Sequence, residues 1–377
     1  METLESIGTP ALVLDRSVMA ANIATMRDRV RELGVALRPH VKTAKSIDVI
    51  RRMLSGRPGG VTVSTLAEAE YCVEHGITDV LYAVGIVPAK LDRVARIGAR
   101  GATITVITDS VVGARAVAAR AGEWGLRFPV MIEIDSDGHR AGLEPGDPAV
   151  VEIGRLLRDE SGVEPAGVMT HAGGSYGART AEAITDAAEQ ERAAVVGVAE
   201  RLRAAGVPCP VVSVGSTPTA TRARDLTGVT EVRVGVYVFQ DLVMAGLGVC
   251  EIGDIALSVL CSVIGHRRDG RMLVDAGWTA LSRDRGTASQ PVDQGYGLVC
   301  DLAGRPIPEL IVAETNQEHG IVADRYGRRI NPEHFPLGRR LRVLPNHACA
   351  TATMHGRYHV VDGTAAVVEV WTRVGGW

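Results

Sequence analysis

The stretch PVVSVGSTPT (210–219), followed closely by EVRVGVYVF (231–239), decides how this chain folds. Each is a short apolar run, rich in β-branched residues, that breaks at glycine. Nearly continuous apolar runs suit strands buried on both faces of a parallel sheet. The same texture recurs toward the N-terminus at 165–172 (PAGVMTHA), 128–135 (FPVMIEID), 103–109 (TITVITD), 79–84 (DVLYAV), 60–65 (GVTVST) and 36–42 (ALRPHVK). Helical spacing fills the gaps. Residues 17–33 set Val18, Ile23, Met26, Val30 and Leu33 close to one face and stop at Gly34; 66–75 stop at Gly76, and 180–205 at Gly206. Eight strands joined by helices are the count of a (β/α)8 TIM-type barrel, an α/β fold. A doubly wound open sheet is the competing arrangement; it would usually show GxGxxG after its first strand, and none stands there.

Beyond about residue 250 the texture changes. IALSVLCSVIGHR, RMLVDAG, ELIVAET, RLRVLP, RYHVV and AAVVEVWTRV read as short strands between Gly, Asp and Arg turns. The expected organisation is a barrel over 16–250 and a C-terminal all-β domain over 251–377. The early strand at 9–15 is expected to join that β domain.

Composition narrows the function. The 377 residues are 46% apolar and 23% charged, enough for a large core. A net charge of −3 argues against a surface built to neutralise nucleic-acid phosphates. No apolar run reaches the length of a membrane span, and METLESIGTP lacks the apolar segment of a signal peptide. Six scattered cysteines without a CxxC pair read as reduced thiols in the cytoplasm. Only three of the 41 basic residues are lysines (Lys42, Lys45 and Lys90), so a reaction that needs a primary amine has three candidates.

Barrel active sites lie at the C-terminal strand ends. Those ends carry Lys42, Thr65, Asp135, His171, Ser216, Thr217 and Tyr237. A lysine at a buried strand end can be desolvated and made nucleophilic, which singles out Lys42. Lys45 is expected to be solvated or a supporting charge, and is the next candidate. Barrels often bind phosphate with the loops after strands 7 and 8. Here those are Gly215-Ser216-Thr217 and the segment from Gly235. As a plain helix start, the same GSTPT would use Thr217 as N-cap and Pro218 as first helical residue. Arg140 could meet a carboxylate, and His40 and His171 are acid/base candidates. In LPNHACAT, His347 and Cys349 stand two apart. On an extended strand that spacing puts both on one face, as a nitrogen and sulfur pair suited to zinc. Glu318, His319 and His355 are further possible ligands.

Taken in order, RPHVKT, GSTPT, EVRVGVYVFQD and PNHACAT resemble the D-serine dehydratase/D-threonine aldolase family of fold-type III, alanine-racemase-like pyridoxal-phosphate (PLP) enzymes. TPALVLD (9–15), THAGGSY (170–176), DAGWTALSRD (275–284) and QEHG (317–320) extend the resemblance over nearly the whole chain. It implies PLP bound covalently to Lys42. It also implies cofactor contacts from Tyr176, Gly215, Ser216, Thr217 and the Gly235–Tyr237 segment, and a divalent metal (zinc first, manganese or magnesium otherwise) on His347 and Cys349 near PLP. The implied activity is that of a lyase on D-β-hydroxy amino acids, either dehydratase or aldolase, and the implied assembly is a homodimer. Two features bear on specificity. Many members read KTHK where this chain has KTAK with Ala44, and dehydratases tend to carry HxC where aldolases carry HxD. The rival readings are an amino-acid racemase and a non-catalytic PLP-binding protein. A racemase needs no metal, and a carrier typically needs no β domain.

Overall fold

A computed structural model describes residues 2–54 and 59–377. The contacts divide the chain into two compact units. One comprises Met26–Gly235 and Val374–Trp377; the other comprises Val236–Arg373 together with the N-terminal residues through Thr25.

The chain opens with β1 (Ala11–Asp15) and α1 (Arg16–Glu32). Then follow β2 (Ala36–Pro39), α2 (Ile47–Met53), β3 (Val61–Val63), α3 (Leu66–Glu74), β4 (Asp79–Gly85) and α4 (Pro88–Gly98). Next come β5 (Thr103–Thr108), α5 (Val111–Trp124), β6 (Phe128–Ile134), α6 (Ala149–Asp159), β7 (Val163–Thr170), α7 (Ala181–Ala204), β8 (Val211–Val214), α8 (Thr217–Arg222) and β9 (Glu231–Val234). Strands β2 to β9 form one parallel sheet in the order β2-β9-β8-β7-β6-β5-β4-β3. A parallel bridge between His40 and Thr62 joins the two ends, so the sheet closes into a barrel. Gly34, Gly76 and Gly206, just beyond their helices, have φ of +70°, +83° and +73°, the left-handed turn that ends a helix.

The barrel interior is not purely apolar. Arg38 donates through Nε to Glu231 Oε2 (2.8 Å) and through Nη1 to Asp79 Oδ1 (3.0 Å). Glu231 Oε1 accepts from Ser213 Oγ (2.7 Å), and Ser213 Oγ accepts from Arg233 Nε (2.7 Å). Arg233 also donates to the Thr170 carbonyl. Charges taken out of water are tolerated only when paired and hydrogen-bonded, as Glu231 and Arg233 are here; Asp79, at the end of the chain of contacts, is 48% exposed.

The other unit is built on a nine-stranded sheet. In it β1 lies between β10 (Leu257–His266), antiparallel to it, and the strand Arg357–Val361, parallel to it. Alternate residues of β1 face one cluster with Leu4, Ile7, Leu260, Val361 and Val367; Ala11 and Val13 are its contribution. A second cluster gathers Leu242, Ile255, Leu298, Cys300 and Leu344.

Two local expectations change. The run 231–239 is a strand only to Val234. Gly235 breaks it, and Val236–Val238 forms a 3-10 turn that carries Tyr237. PNHACAT is not extended either: His347 precedes a short helix, Ala348–Thr353, that contains Cys349.

Candidate active site

The turn after β2 brings Lys42 to the barrel rim. Val41 N–H donates to Thr62 O (2.9 Å) and His40 N–H to Val234 O (2.7 Å), which fixes the turn between its two neighbouring strands. Lys42 is partly exposed, and among the described residues no carboxylate pairs with its amine. Lys45 behaves differently. Its Nζ sits 2.7 Å from Glu68 Oε1, and its side chain is only 12% exposed. Of the two expectations for Lys45, solvated or a supporting charge, the structure agrees with the second: a buried carboxylate on α3 claims it.

Two histidines flank this rim. His40 is half-buried, with Nε2 3.4 Å from Ser64 Oγ. Burial, reinforced by the charges of Lys42 and Arg233, pushes its pKa well below the ordinary value. His171, after β7, donates from Nδ1 to Gly215 O (2.7 Å), which leaves Nε2 with a free lone pair in the neutral ring. Burial lowers its pKa to about 3 despite that hydrogen bond, helped by Arg140 and Lys42. Both rings are neutral near pH 7, which disfavours an acid role for either. The Tyr176 ring lies 6.2 Å from that of His171, tilted by 46°. Arg140 is exposed. Thr65 caps α3 by accepting from Glu68 N–H (3.1 Å), and Asp135 Oδ1 accepts from Asp137 N–H (3.1 Å) and Gly138 N–H (2.7 Å). Those two strand-end residues shape their own loops.

The loop after β8 has a different capping register from the simple helix start. Ser216, not Thr217, is the N-cap: its Oγ accepts from Thr219 N–H (3.2 Å). Thr217 is the first helical residue, so its hydroxyl is not consumed by capping. Thr217 is 1% exposed, and among the described residues its Oγ1 has no hydrogen-bond partner. A buried hydroxyl without a partner costs free energy, and a bound phosphate oxygen would satisfy it. Gly215 has φ +151°, and a Cβ there would stand 2.0 Å from Arg233 O. At Gly235 a Cβ would come within 2.9 Å of His40 O and 3.1 Å of Thr43 Oγ1. Bare backbone is thus required at both. The residues present fit a phosphate-bearing cofactor.

In the other unit, Tyr237 is fully buried, its hydroxyl has no partner among the described residues, and burial raises its pKa. The PNHAC turn is held from three sides. Asn346 donates to Gly295 O (2.6 Å) and Asp284 O (3.1 Å), Thr287 Oγ1 donates to Asn346 Oδ1 (2.9 Å), and Asp241 Oδ2 accepts from Ala348 N–H (2.9 Å). These ties aim His347, whose Nδ1 is 2.8 Å from Asp284 Oδ2. A carboxylate on one imidazole nitrogen fixes the ring and makes the other nitrogen a better metal donor. His347 and Cys349 also contact each other side chain to side chain. The donor set fits a cation with two protein ligands and open positions. Of the further candidates, His355 Nε2 donates to Ala280 O (2.9 Å), and Glu318 Oε2 accepts from Thr279 Oγ1 (2.9 Å). Among the described residues no group of three or more His, Cys, Asp or Glu is assembled as a metal site.

Sequence reasoning overlooked Glu191, which joins the loops after β7 and β8, and Asp284, which lies inside the quoted DAGWTALSRD run. Their partners are distant in sequence, and no local signal marks them.

The model of the alanine racemase N-terminal domain matches residues 14–242. The chain belongs to this family. A second model, "Putative serine dehydratase domain", matches 256–361. D-threo-3-hydroxyaspartate dehydratase of Delftia sp. is 52% identical, with all of both chains covered. Its solved structure superposes with a TM-score of 0.98, and a cysteine-to-alanine mutant of it is named as being in the metal-free form. D-serine dehydratase of Dictyostelium discoideum is 27% identical over 98% of this chain and 97% of its own. The solved D-threonine aldolase of Filomicrobium marinum is 27% identical over 99% of this chain and 97% of its own, with a TM-score of 0.86. The family is PLP-dependent, and its members named here are lyases of D-β-hydroxy amino acids. The chain is such an alanine-racemase-like α/β protein, and no helix among its described residues is long and apolar enough to cross a membrane.

Proposed function

We propose that this protein is a PLP- and metal-dependent lyase that dehydrates D-β-hydroxy amino acids, with D-threo-3-hydroxyaspartate as its foremost substrate. The observation that carries the reading is the contrast at the barrel rim. The Lys42 amine has no carboxylate partner among the described residues, while Lys45 is held by Glu68. Identity of 52% to the Delftia dehydratase across the full chain favours dehydration over aldol cleavage, as does the HxC pair.

Lys42 is the covalent anchor for PLP. Ser216, Thr217, Gly215 and Gly235 form the phosphate end, and Tyr176 and Tyr237 are the aromatic contacts. When bound, PLP supplies an electron sink for charge at Cα, and a cation on His347 and Cys349 supplies Lewis acidity for a departing hydroxide. As a free amine at the barrel rim, Lys42 Nζ would remove the α proton. Neutral His171, with its Nε2 lone pair, accepts a hydrogen bond without adding positive charge. Zinc is the proposed cation, since imidazole nitrogen and thiolate sulfur suit it. The same reading assigns a TIM-type barrel domain at 16–250, a β domain at 251–377, a homodimer and a cytoplasmic location.

The experiment is incubation of the PLP-loaded protein with D-threo-3-hydroxyaspartate, D-serine and D-threonine, with and without chelator. Oxaloacetate, pyruvate or 2-oxobutyrate with ammonia, lost on chelation, is expected. Glycine with an aldehyde would assign the aldolase reaction instead. Chelator-insensitive interconversion of enantiomers would assign a racemase.

A further inference from the structure

The loops that follow β7 and β8 share one buried anchor that the chemistry above does not use. Glu191 projects from the middle of α7 and is 2% exposed. Its Oε1 accepts from Ala172 N–H (3.1 Å) and Gly215 N–H (3.0 Å), and its Oε2 accepts from Thr219 Oγ1 (2.8 Å). Ala172 follows His171, and Gly215 precedes Ser216, so one carboxylate fixes both loops close to their strand ends. The tie is then doubled. Ser216 Oγ meets Ser175 Oγ at 3.1 Å, Ser175 Oγ donates to Ala172 O at 2.7 Å, and His171 Nδ1 donates to Gly215 O at 2.7 Å.

A carboxylate without water is costly unless donors replace the solvent. Glu191 has three donors, and burial still raises its pKa. A helix that only packs on a barrel has no need of such a group. A leucine would serve, as Leu202 does further along the same face.

We propose that Glu191 is a positioning residue for the cofactor: it locks the two loops together, so that the Thr217 hydroxyl and the backbone around Ser216 are set for phosphate before PLP arrives. Ordering a binding loop in advance removes that entropic cost from the binding step. This inference rests on the PLP reading above, and the test separates the two.

The test titrates the apo protein with PLP, follows the visible absorbance of the bound cofactor, and measures hydrogen exchange and melting temperature alongside. Glu191→Ala removes all three acceptors. PLP is expected to bind about tenfold or more weakly, the scale of losing such hydrogen bonds, with faster exchange over 172–176 and 215–219. Glu191→Gln is expected to stay within about threefold of wild type, because its amide oxygen still accepts both N–H groups and its NH2 donates to Thr219 Oγ1. Thr219→Val removes the hydroxyl that links Glu191 Oε2 to Ser216 N–H (3.3 Å) and Ser216 Oγ (2.9 Å), and is expected to weaken PLP by about threefold; it decides the matter if Glu191→Ala does not fold. A lower melting temperature with unchanged PLP affinity in Glu191→Ala, or in Thr219→Val where that variant decides, would overturn the proposal. So would a Gln variant as weak as the Ala variant. Failure of the wild-type apo protein to bind PLP would refute the PLP reading instead.

Discussion

Glu191 in the barrel unit and Asp284 in the β unit each orient a polar group, but in opposite surroundings. Glu191 is sealed among neutral donors, and burial raises its pKa. Asp284, its side chain 30% exposed, accepts from His347 Nδ1 and from Gly286 N–H (2.8 Å), and the His347 hydrogen bond holds its carboxyl below the ordinary range. Desolvation raises a carboxylate pKa and a protonatable partner lowers it, so the same functional group titrates in opposite directions. The loops of the barrel are thereby set once, as the chain folds. The His347 edge stays wet enough for a cation or substrate oxygen to enter.

This contrast can be broken or sharpened by substitution. The largest effect is expected at the buried carboxylate Glu68, which is 1% exposed. Lys45→Met would leave its charge uncompensated and cost about 3–5 kcal/mol in chemical denaturation, while the cofactor linkage survives. A loss below about 1 kcal/mol would show that water reaches the pair. Asp284→Asn comes next. It keeps the shape but weakens orientation of the imidazole, so zinc affinity by competition with a chelating dye should fall about 10–100-fold with little change in stability. Unchanged affinity would remove Asp284 from the metal edge.

The effect that is smallest near neutral pH, and grows only on acidification, is that of His171. His171 has a folded pKa of about 3, whereas an unfolded histidine titrates near about 6.5. Between those values the unfolded chain takes up a proton that the folded chain refuses, so stability is full above about pH 6.5 and declines as pH falls toward 3. The melting temperature of the apo protein should follow that slope, and His171→Asn should flatten it. An identical slope in the variant would contradict the neutral-ring assignment.

The eight barrel strands were legible because strands buried on both faces read as unbroken apolar runs. Their ends were less so. GVYVF continues the apolar texture of β9, but the strand stops at Val234 and the chain turns after Gly235, where a Cβ would meet His40 O, a neighbour distant in sequence. The HxC pair was legible as a donor set but not as a helix start, since Asp241, which holds Ala348 N–H, lies 107 residues away. Glu191 sits in AEAITDAAEQER, a pattern that reads as a solvated helix face, and nothing local distinguishes it from Glu189, which pairs with Arg192 at the surface. Lys42 and Lys45 looked alike until α3 supplied Glu68 to only one of them.

That last pair gives the most direct test. The PLP-loaded protein is reduced with borohydride, digested, and its peptides are mapped by mass spectrometry, in wild type and in Lys42→Ala. A pyridoxyl adduct confined to Lys42, and absent from the variant, is expected. An adduct on Lys45, or none on wild type, would contradict the assignment of the rim amine.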